Sequence, residues 1–206
     1  GGSGYFDGSG DYLNTATNSA FGFGTGDFCV EAWVYATASQ TDNHIVDCVS
    51  SSTGLILRIG ASNYLEAYLG GYGAVTYSSS FPLNSWHHVA ITRSGTSVRL
   101  FLDGAIVATA TTGQDLGSSL PASVGSQIGE IRYWNGYICD ARVVKGSAVY
   151  TSAFTPNTTP LTAITNTSLL CNMTNGAIYD NAEVADYETV GNAQISTSVK
   201  KYGTGS

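Results

Sequence analysis

Apolar and polar residues alternate along this chain in short runs, the period-two signature of half-buried β-strands. Residues 28–35 place Phe28, Val30, Ala32 and Val34 on one face. Residues 55–59 and 64–69 flank Gly60-Ala61-Ser62-Asn63, and this spacing predicts a hairpin. Residues 86–93, 97–102 and 105–110 predict a three-strand meander that turns at Ser94-Gly95-Thr96 and at Asp103-Gly104. The second turn suits a two-residue hairpin, because Asp and Gly both tolerate positive φ. Residues 136–144 and 168–173 predict two more strands. No stretch carries a 3.6-residue period; the one helical expectation is a single turn over 147–150. Phe28, Val30, Ala32, Val34, Val89, Ile91, Leu100, Leu102 and Ile138 are the predicted core. Residues 155–167 contain Pro156 and Pro160 and are rich in Thr and Asn, which reads as an extended crossover or linker.

Length suits one all-β sandwich domain, although length alone would also accommodate two smaller ones, and composition supports the all-β class. The chain has 206 residues, 43% apolar and only 11% charged, against roughly 25% charged in an ordinary soluble domain. Gly, Ser, Thr, Asn and Tyr fill the gap, a mixture suited to strands and tight turns. The net charge of −7 repels a phosphate backbone and an anionic lipid surface, so neither nucleic acid nor membrane is an expected partner. No run approaches the ~18 apolar residues of a membrane-spanning helix. Cys29, Cys48, Cys139 and Cys171 form no C-x-x-C pair, which speaks against zinc or a thioredoxin-like site. Buried free thiols and a single disulfide both remain open at this point.

Five segments stand in order: Tyr5-Phe6-Asp7-Gly8-Ser9-Gly10-Asp11-Tyr12-Leu13, Asp27-Phe28-Cys29-Val30-Glu31-Ala32-Trp33-Val34, Trp86-His87-His88-Val89-Ala90-Ile91-Thr92-Arg93, Val98-Arg99-Leu100-Phe101-Leu102-Asp103-Gly104 and Trp134-Asn135-Gly136-Tyr137-Ile138-Cys139-Asp140-Ala141-Arg142-Val143. Together they resemble laminin G-like domains of the concanavalin A-like lectin/glucanase superfamily. The resemblance implies a jelly-roll sandwich of two antiparallel sheets. Lys145-Gly146, Ala148-Val149-Tyr150-Thr151 and Phe154-Thr155-Pro156 are similar to the modules of bacteriophage tail and virion fibre proteins. In such modules a strand like Leu169-Leu170-Cys171-Asn172-Met173 precedes the Phe-Asp-Gly element, whereas here it follows the closing strand. The chain therefore reads as a module rotated in sequence, or as one repeat cut out of a tandem array, with a jelly roll over 1–160, a linker over 161–167, and a strand-bearing segment over 168–206. Leu169, Leu170, Cys171 and Met173 of that segment are expected to complete this sandwich or, by strand donation, that of a neighbouring copy. The resemblance also implies that Cys29 and Cys139 are neighbours able to form a disulfide.

Candidate chemistry is sparse. The alternating carboxylates of the superfamily's glucanases are missing, so no enzyme is expected. Asp7, Ser9 and Asp11 offer oxygen donors at alternate positions, a pattern that suits calcium. Sugar binding needs aromatic rings and a hydrogen-bonding rim; Tyr64, Tyr72, Tyr77, Asn43, Asn63 and Gln127 are candidates, although most of the thirteen tyrosines belong to cross-strand packing. His88 is expected to pack beside its Trp, and Tyr133 and Trp134 to lie in the core. The first functional expectation is a non-catalytic structural repeat of an extracellular fibre or virion appendage, assembled head to tail with copies of itself. The alternative is a module that attaches to surface glycan, and the third is a glycosidase.

Overall fold

The computed structural model describes residues 2–39, 41–127, 132–173, 182, 188–191, 193–196 and 198–202. Fifteen strands follow in chain order: β1 (Ser3–Asp7), β2 (Tyr12–Asn14), β3 (Phe28–Ala36), β4 (Asn43–Ser50), β5 (Thr53–Ile59), β6 (Tyr64–Leu69), β7 (Gly73–Ser80), β8 (Trp86–Ser94), β9 (Ser97–Leu102), β10 (Ala105–Thr111), β11 (Ser123–Val124), β12 (Asn135–Lys145), β13 (Thr167–Cys171), β14 (Glu188–Val190) and β15 (Gln194–Ser196). They form two antiparallel sheets packed face to face. One has the order β10-β9-β8-β3-β12-β1-β15, with β13 on β12 beyond the end of β1; the other has the order β14-β2-β11-β4-β5-β6-β7. This is the jelly-roll architecture the sequence predicts.

The alternation read in the sequence sets which face each strand buries. Phe28, Val30, Ala32, Val34, Val89, Ile91, Leu100 and Ile138 are all fully buried between the sheets. Leu102, last before the Asp103-Gly104 turn, is only half-buried. That turn has φ of 50° and 79° at its two residues, as a two-residue hairpin requires. A Cβ on Gly104 would stand 1.9 Å from the Phe154 carbonyl oxygen; glycine lets the strap after β12 dock there, with Phe154 N–H donating to the Gly104 carbonyl at 3.0 Å.

The helical turn expected at 147–150 does not form. Tyr150 stacks on Phe154 at 3.6 Å and its hydroxyl bonds to Glu31 at 2.9 Å, so tertiary contacts override local preference. The 3₁₀ turn is at Ser19–Phe21, where Asn18 Oδ1 accepts from Ala20 N–H.

The C-terminal segment departs furthest from the expected domain layout. Residues 161–167 are packed: Leu161 is buried, its N–H bonds to Asp140 at 3.1 Å, and the Thr162 carbonyl accepts from Arg142. Leu169, Leu170 and Cys171 lie in β13, which pairs with β12 of the same chain in the register Val143↔Leu169, Arg142↔Leu170 and Ala141↔Cys171. Met173 is buried and its carbonyl accepts from Gly2 N–H. Beyond it, β14 extends one sheet through β2 and β15 extends the other through β1. In this single chain the segment closes its own sandwich. Residues 174–181, 183–187, 192, 197 and 203–206 of it lie outside the described residues.

All four cysteines are buried free thiols, which corrects the Cys29–Cys139 pairing. The two sit on paired strands, as expected, but Cys29 stands opposite Val144 and Cys139 opposite Trp33. At ~3.3 Å per residue this offset exceeds the ~7 Å Cα separation a disulfide can span.

Candidate functional site

On the outer face of the seven-stranded sheet, side chains out of phase with the core line a groove along β5. Val49 and Ile56, 8% and 5% exposed, form an apolar floor. Tyr68 from β6 and Ser51 and Ser52 from the β4–β5 turn line it further, and Arg58, Gln127 and Arg132 complete a hollow of about 240 Å³. A bulge between His44 and Val46 turns Ile45 and Val46 both into the core. His44 and Asp47 are thereby brought together, Nδ1 to Oδ2 at 2.9 Å.

The polar groups of the groove are locked to one another. Arg58 Nη1 bonds to Asp42 Oδ1 at 2.6 Å and its Nε to Glu66 Oε2 at 3.1 Å, with its guanidinium carbon 5.9 Å from the centre of the Tyr68 ring. Arg132 Nε meets the other Asp42 oxygen at 2.8 Å, and its Nη1 donates to Gln127 at 2.8 Å. Asp42 therefore bridges two of the chain's five arginines. The His44 ring beside it lowers the Asp42 carboxyl below the usual range; burial opposes this, and the charges of Arg58 and Arg132 reinforce it. Burial has the reverse outcome at Asp47, where it outweighs the bond from His44 and raises the carboxyl.

Two guanidiniums and two carboxylates held in fixed planes present donors and acceptors side by side. A vicinal pair of hydroxyls, each able to donate and accept, complements such an array. Acid-catalysed glycoside cleavage needs a carboxyl whose pKa is raised, so that it holds a proton near neutrality. Asp42 is shifted the other way, and Asp47, which is raised, is buried beneath the surface and held by His44.

Two further polar clusters were not legible in the sequence. Glu31, fully buried on the outer face of the eight-stranded sheet, accepts from Arg142 Nε at 2.8 Å and Nη2 at 2.5 Å, from His88 Nε2 at 2.9 Å and from the Tyr150 hydroxyl. The strap after β12 seals it, and His88, which packs beside Trp33, is also a hydrogen-bond partner of Glu31. At the rim, Ser85 Oγ, His87 and Asp103 are aligned, with contacts of 2.8 and 2.7 Å. This has the order of an acyl-transfer triad but not its setting. The orienting carboxylate of such a triad is buried and its oxyanion is met by N–H donors. Here the Asp103 side chain is 47% exposed, its second oxygen is taken by His88 N–H, and Ser85 Oγ also faces the Leu83 carbonyl. The cluster closes the β9–β10 hairpin onto β8.

Of the residues expected to bind sugar, only Gln127 lines the groove. Tyr77 packs against the core, Tyr72 is exposed in a turn, Tyr64 is half-buried, Asn43 bonds to the Tyr133 carbonyl, and Asn63 bonds to the Phe81 carbonyl. Trp134 is buried, while Tyr133 is half-exposed and stacks on Tyr12. Asp7, Ser9 and Asp11 form the turn between β1 and β2. Asp7 Oδ1 accepts from Ser9 N–H and Asp11 Oδ2 from Asp7 N–H, so these carboxylates serve the turn. Among the described residues no three His, Cys, Asp or Glu side chains cluster to hold a metal ion. The missed groove residues Asp42, Arg58, Glu66, Tyr68 and Arg132 lie far apart in sequence, and only the sheet register assembles them.

The fold is a lectin-like β-sandwich. The chain belongs to the concanavalin A-like lectin/glucanases superfamily, whose laminin G-type family model matches residues 7–156. Among solved structures it is similar to a candidate carbohydrate binding protein from Bacteroides ovatus ATCC 8483, with 19% identity and a TM-score of 0.73 over 95% of this chain and 59% of that one. It is also similar to a pentraxin from Limulus polyphemus, with 16% identity and a TM-score of 0.55 over 73% and 78% of the two chains. Domains LG4-5 of the mouse laminin α1 chain match at 15% identity and a TM-score of 0.53, over 76% of this chain and 47% of that one. No curated protein sequence matches. No helix among the described residues is long and apolar enough to cross a membrane.

Proposed function

We propose that this chain is a non-catalytic glycan-binding module that takes its ligand in the groove along β5. The observation that carries this reading is the quartet Asp42, Arg58, Glu66 and Arg132, fixed by mutual ion pairs around an apolar floor and the Tyr68 ring. Ligand sites of this kind combine apolar walls with a few fixed polar groups, and fixing them beforehand reduces the ordering cost of binding. The similarity in fold to a candidate carbohydrate binding protein agrees with it. An extracellular or virion-surface attachment role suits such a module and the phage-like segments of its sequence.

The test is a glycan array followed by calorimetry on the best binder. Tyr68→Ala and Arg132→Ala should each weaken binding about tenfold, roughly 1.4 kcal/mol, with melting temperatures close to that of the parent. Undiminished binding by both variants would sink the assignment of this groove. Incubation with β-glucans and bacterial polysaccharides should release no reducing ends.

Assembly into a fibre is the second reading, and a different observation favours it. On one flank the exposed edges of both sheets, β10 and β7, carry no charged residue along Ala105–Thr111 or Gly73–Ser80. Uncharged edges of high β-propensity are templates for pairing with another chain. Sedimentation of concentrated protein should show association that Ile106→Lys abolishes; a strictly monomeric parent would rule this flank out.

A further inference from the structure

Across the outer face of the opposite sheet, four aromatic residues stand in one row. Tyr5 of β1 pairs with Tyr137 of β12, Tyr137 with Tyr35 of β3, and Tyr35 with Trp86 of β8. Three strand-to-strand steps of ~4.8 Å give the row a length of about 14 Å. Ring centres are separated by 5.1 Å for Tyr5–Tyr137, 5.8 Å for Tyr35–Tyr137 and 5.8 Å for Tyr35–Trp86. All four rings are half-exposed. Trp33, two residues before Tyr35, is by contrast covered by the Lys201 ammonium 3.6 Å from its ring centre.

At the Tyr5 end the row opens into a hollow of about 300 Å³ lined by Tyr5, Tyr137, Gln194, Ile195, Ser196 and Ser198. Amide, hydroxyl and phenol groups supply its polar contacts, and none of these side chains carries a charge. Burial, with Tyr5 and Tyr35 alongside, raises the Tyr137 phenol above its ordinary range.

The geometry points to a second binding site here, for a single, extended, uncharged polysaccharide chain lying across the strands. Aromatic rings accept the apolar faces of sugar rings, and the hollow at the end supplies hydroxyl partners. The lack of charged groups in row and hollow, in a chain of net charge −7, fits an uncharged ligand. Neighbouring ring planes turn by 43°, 86° and 68° along the row. This is no flat platform for a crystalline surface; it suits a twisted soluble chain that offers its faces in turn. The row shares no residue with the groove along β5 and stands or falls separately from it. With both sites filled, the module holds glycan on opposite faces.

The experiment is native affinity electrophoresis of the full chain in gels containing hydroxyethylcellulose, barley β-glucan, xylan, linear arabinan or galactomannan, with crystalline cellulose pull-down as a contrast. At least one soluble polysaccharide should retard the protein, and crystalline cellulose should not retain it. Trp86→Ala and Tyr137→Ala should each weaken retardation about tenfold, whereas Arg132→Ala should leave it. A readout without substitutions comes from fluorescence. Trp33 and Trp134 are buried and Trp86 is not, so the retarding polysaccharide should shield the acrylamide-accessible tryptophan emission. Four outcomes overturn the proposal. They are no retardation by any of the five, unchanged quenching at saturation, loss through Arg132→Ala with the row variants unaffected, or a dimer in solution that Trp86→Ala dissociates.

Discussion

Glu31 sits at an outward position of β3 where the strand's alternation alone would leave a solvated carboxylate. The strap residues Tyr150 and Phe154 cover it instead, and Arg142, His88 and Tyr150 satisfy it. Burial alone would raise its carboxyl; the His88 bond and the Arg142 charge outweigh burial and hold it below the ordinary glutamate range. Removing one partner of a buried pair leaves the other charge uncompensated, at a cost of about 3–5 kcal/mol. Glu31→Gln should therefore lower unfolding free energy by about that amount at pH 7, as read by denaturant titration. Because the folded pKa is depressed, the carboxylate's contribution is complete above the unfolded value of ~4.3. It is lost as pH falls through the folded value. The gap between parent and variant should narrow as titrations are repeated from pH 5 toward pH 3; a constant gap would assign the loss to packing. In the sequence Glu31 stands only as one carboxylate within the segment Asp27–Val34. Its ligands come from β8, β12 and the strap, and no local spacing announces them. Tyr68 and Arg58 were hidden in the same way: each is unremarkable in its own strand, and only the register Arg58↔Glu66 with Ile56↔Tyr68 makes a groove of them.

Elements with regular alternation were legible; those that break it were not. β3, β8 and β9 show their buried faces in the sequence because every second residue is apolar. β4 does not, because its bulge sends Ile45 and Val46 inward together. β7 ends in Ser78-Ser79-Ser80 and buries little beyond Val75, so hydrophobicity barely marks it. Gly136 shows how much one backbone position in β12 decides. Its φ is 138°, and a Cβ there would stand 2.0 Å from the Tyr35 carbonyl oxygen. Gly136→Ala must push β12 away from β3 at the rung beside Tyr137. We expect a loss of about 2 kcal/mol or more and, if the row binds polysaccharide, weaker retardation in affinity gels. A melting temperature equal to that of the parent would show that the strands yield without cost.

At the scale of the whole molecule, residues 161–173, β14 and β15 are structural. Removing them strips β13 from β12, β15 from β1 and β14 from β2, exposing sheet edges and the core around Leu169, Cys171 and Met173. A chain truncated after Pro160 should show no cooperative unfolding transition by near-ultraviolet circular dichroism. Adding a peptide of residues 161–206 should restore one. Cooperative melting of the truncated chain alone would make the segment dispensable. The family segments in the sequence pointed to this dependence, but composition placed a linker at 161–167, because Thr- and Pro-rich stretches look solvated until the partners of Leu161 and Thr162 are known.

The adjacency of β1 and β15 has a topological meaning. Ser3 pairs with Ser196, and its hydroxyl bonds to the Val199 carbonyl, so the path of the chain returns almost to where it started. Between Ser3 and Val199 a path of that shape is nearly a loop, and a loop has no preferred origin. The same sandwich can be cut at any exposed turn and joined at the old ends, leaving every rung in place. A permutant joined by a short glycine-rich link and opened at the turn around Tyr72, 45% exposed, should melt as the parent does. The returning path would equally let the module be inserted into a surface loop of another protein, entering and leaving through neighbouring strands.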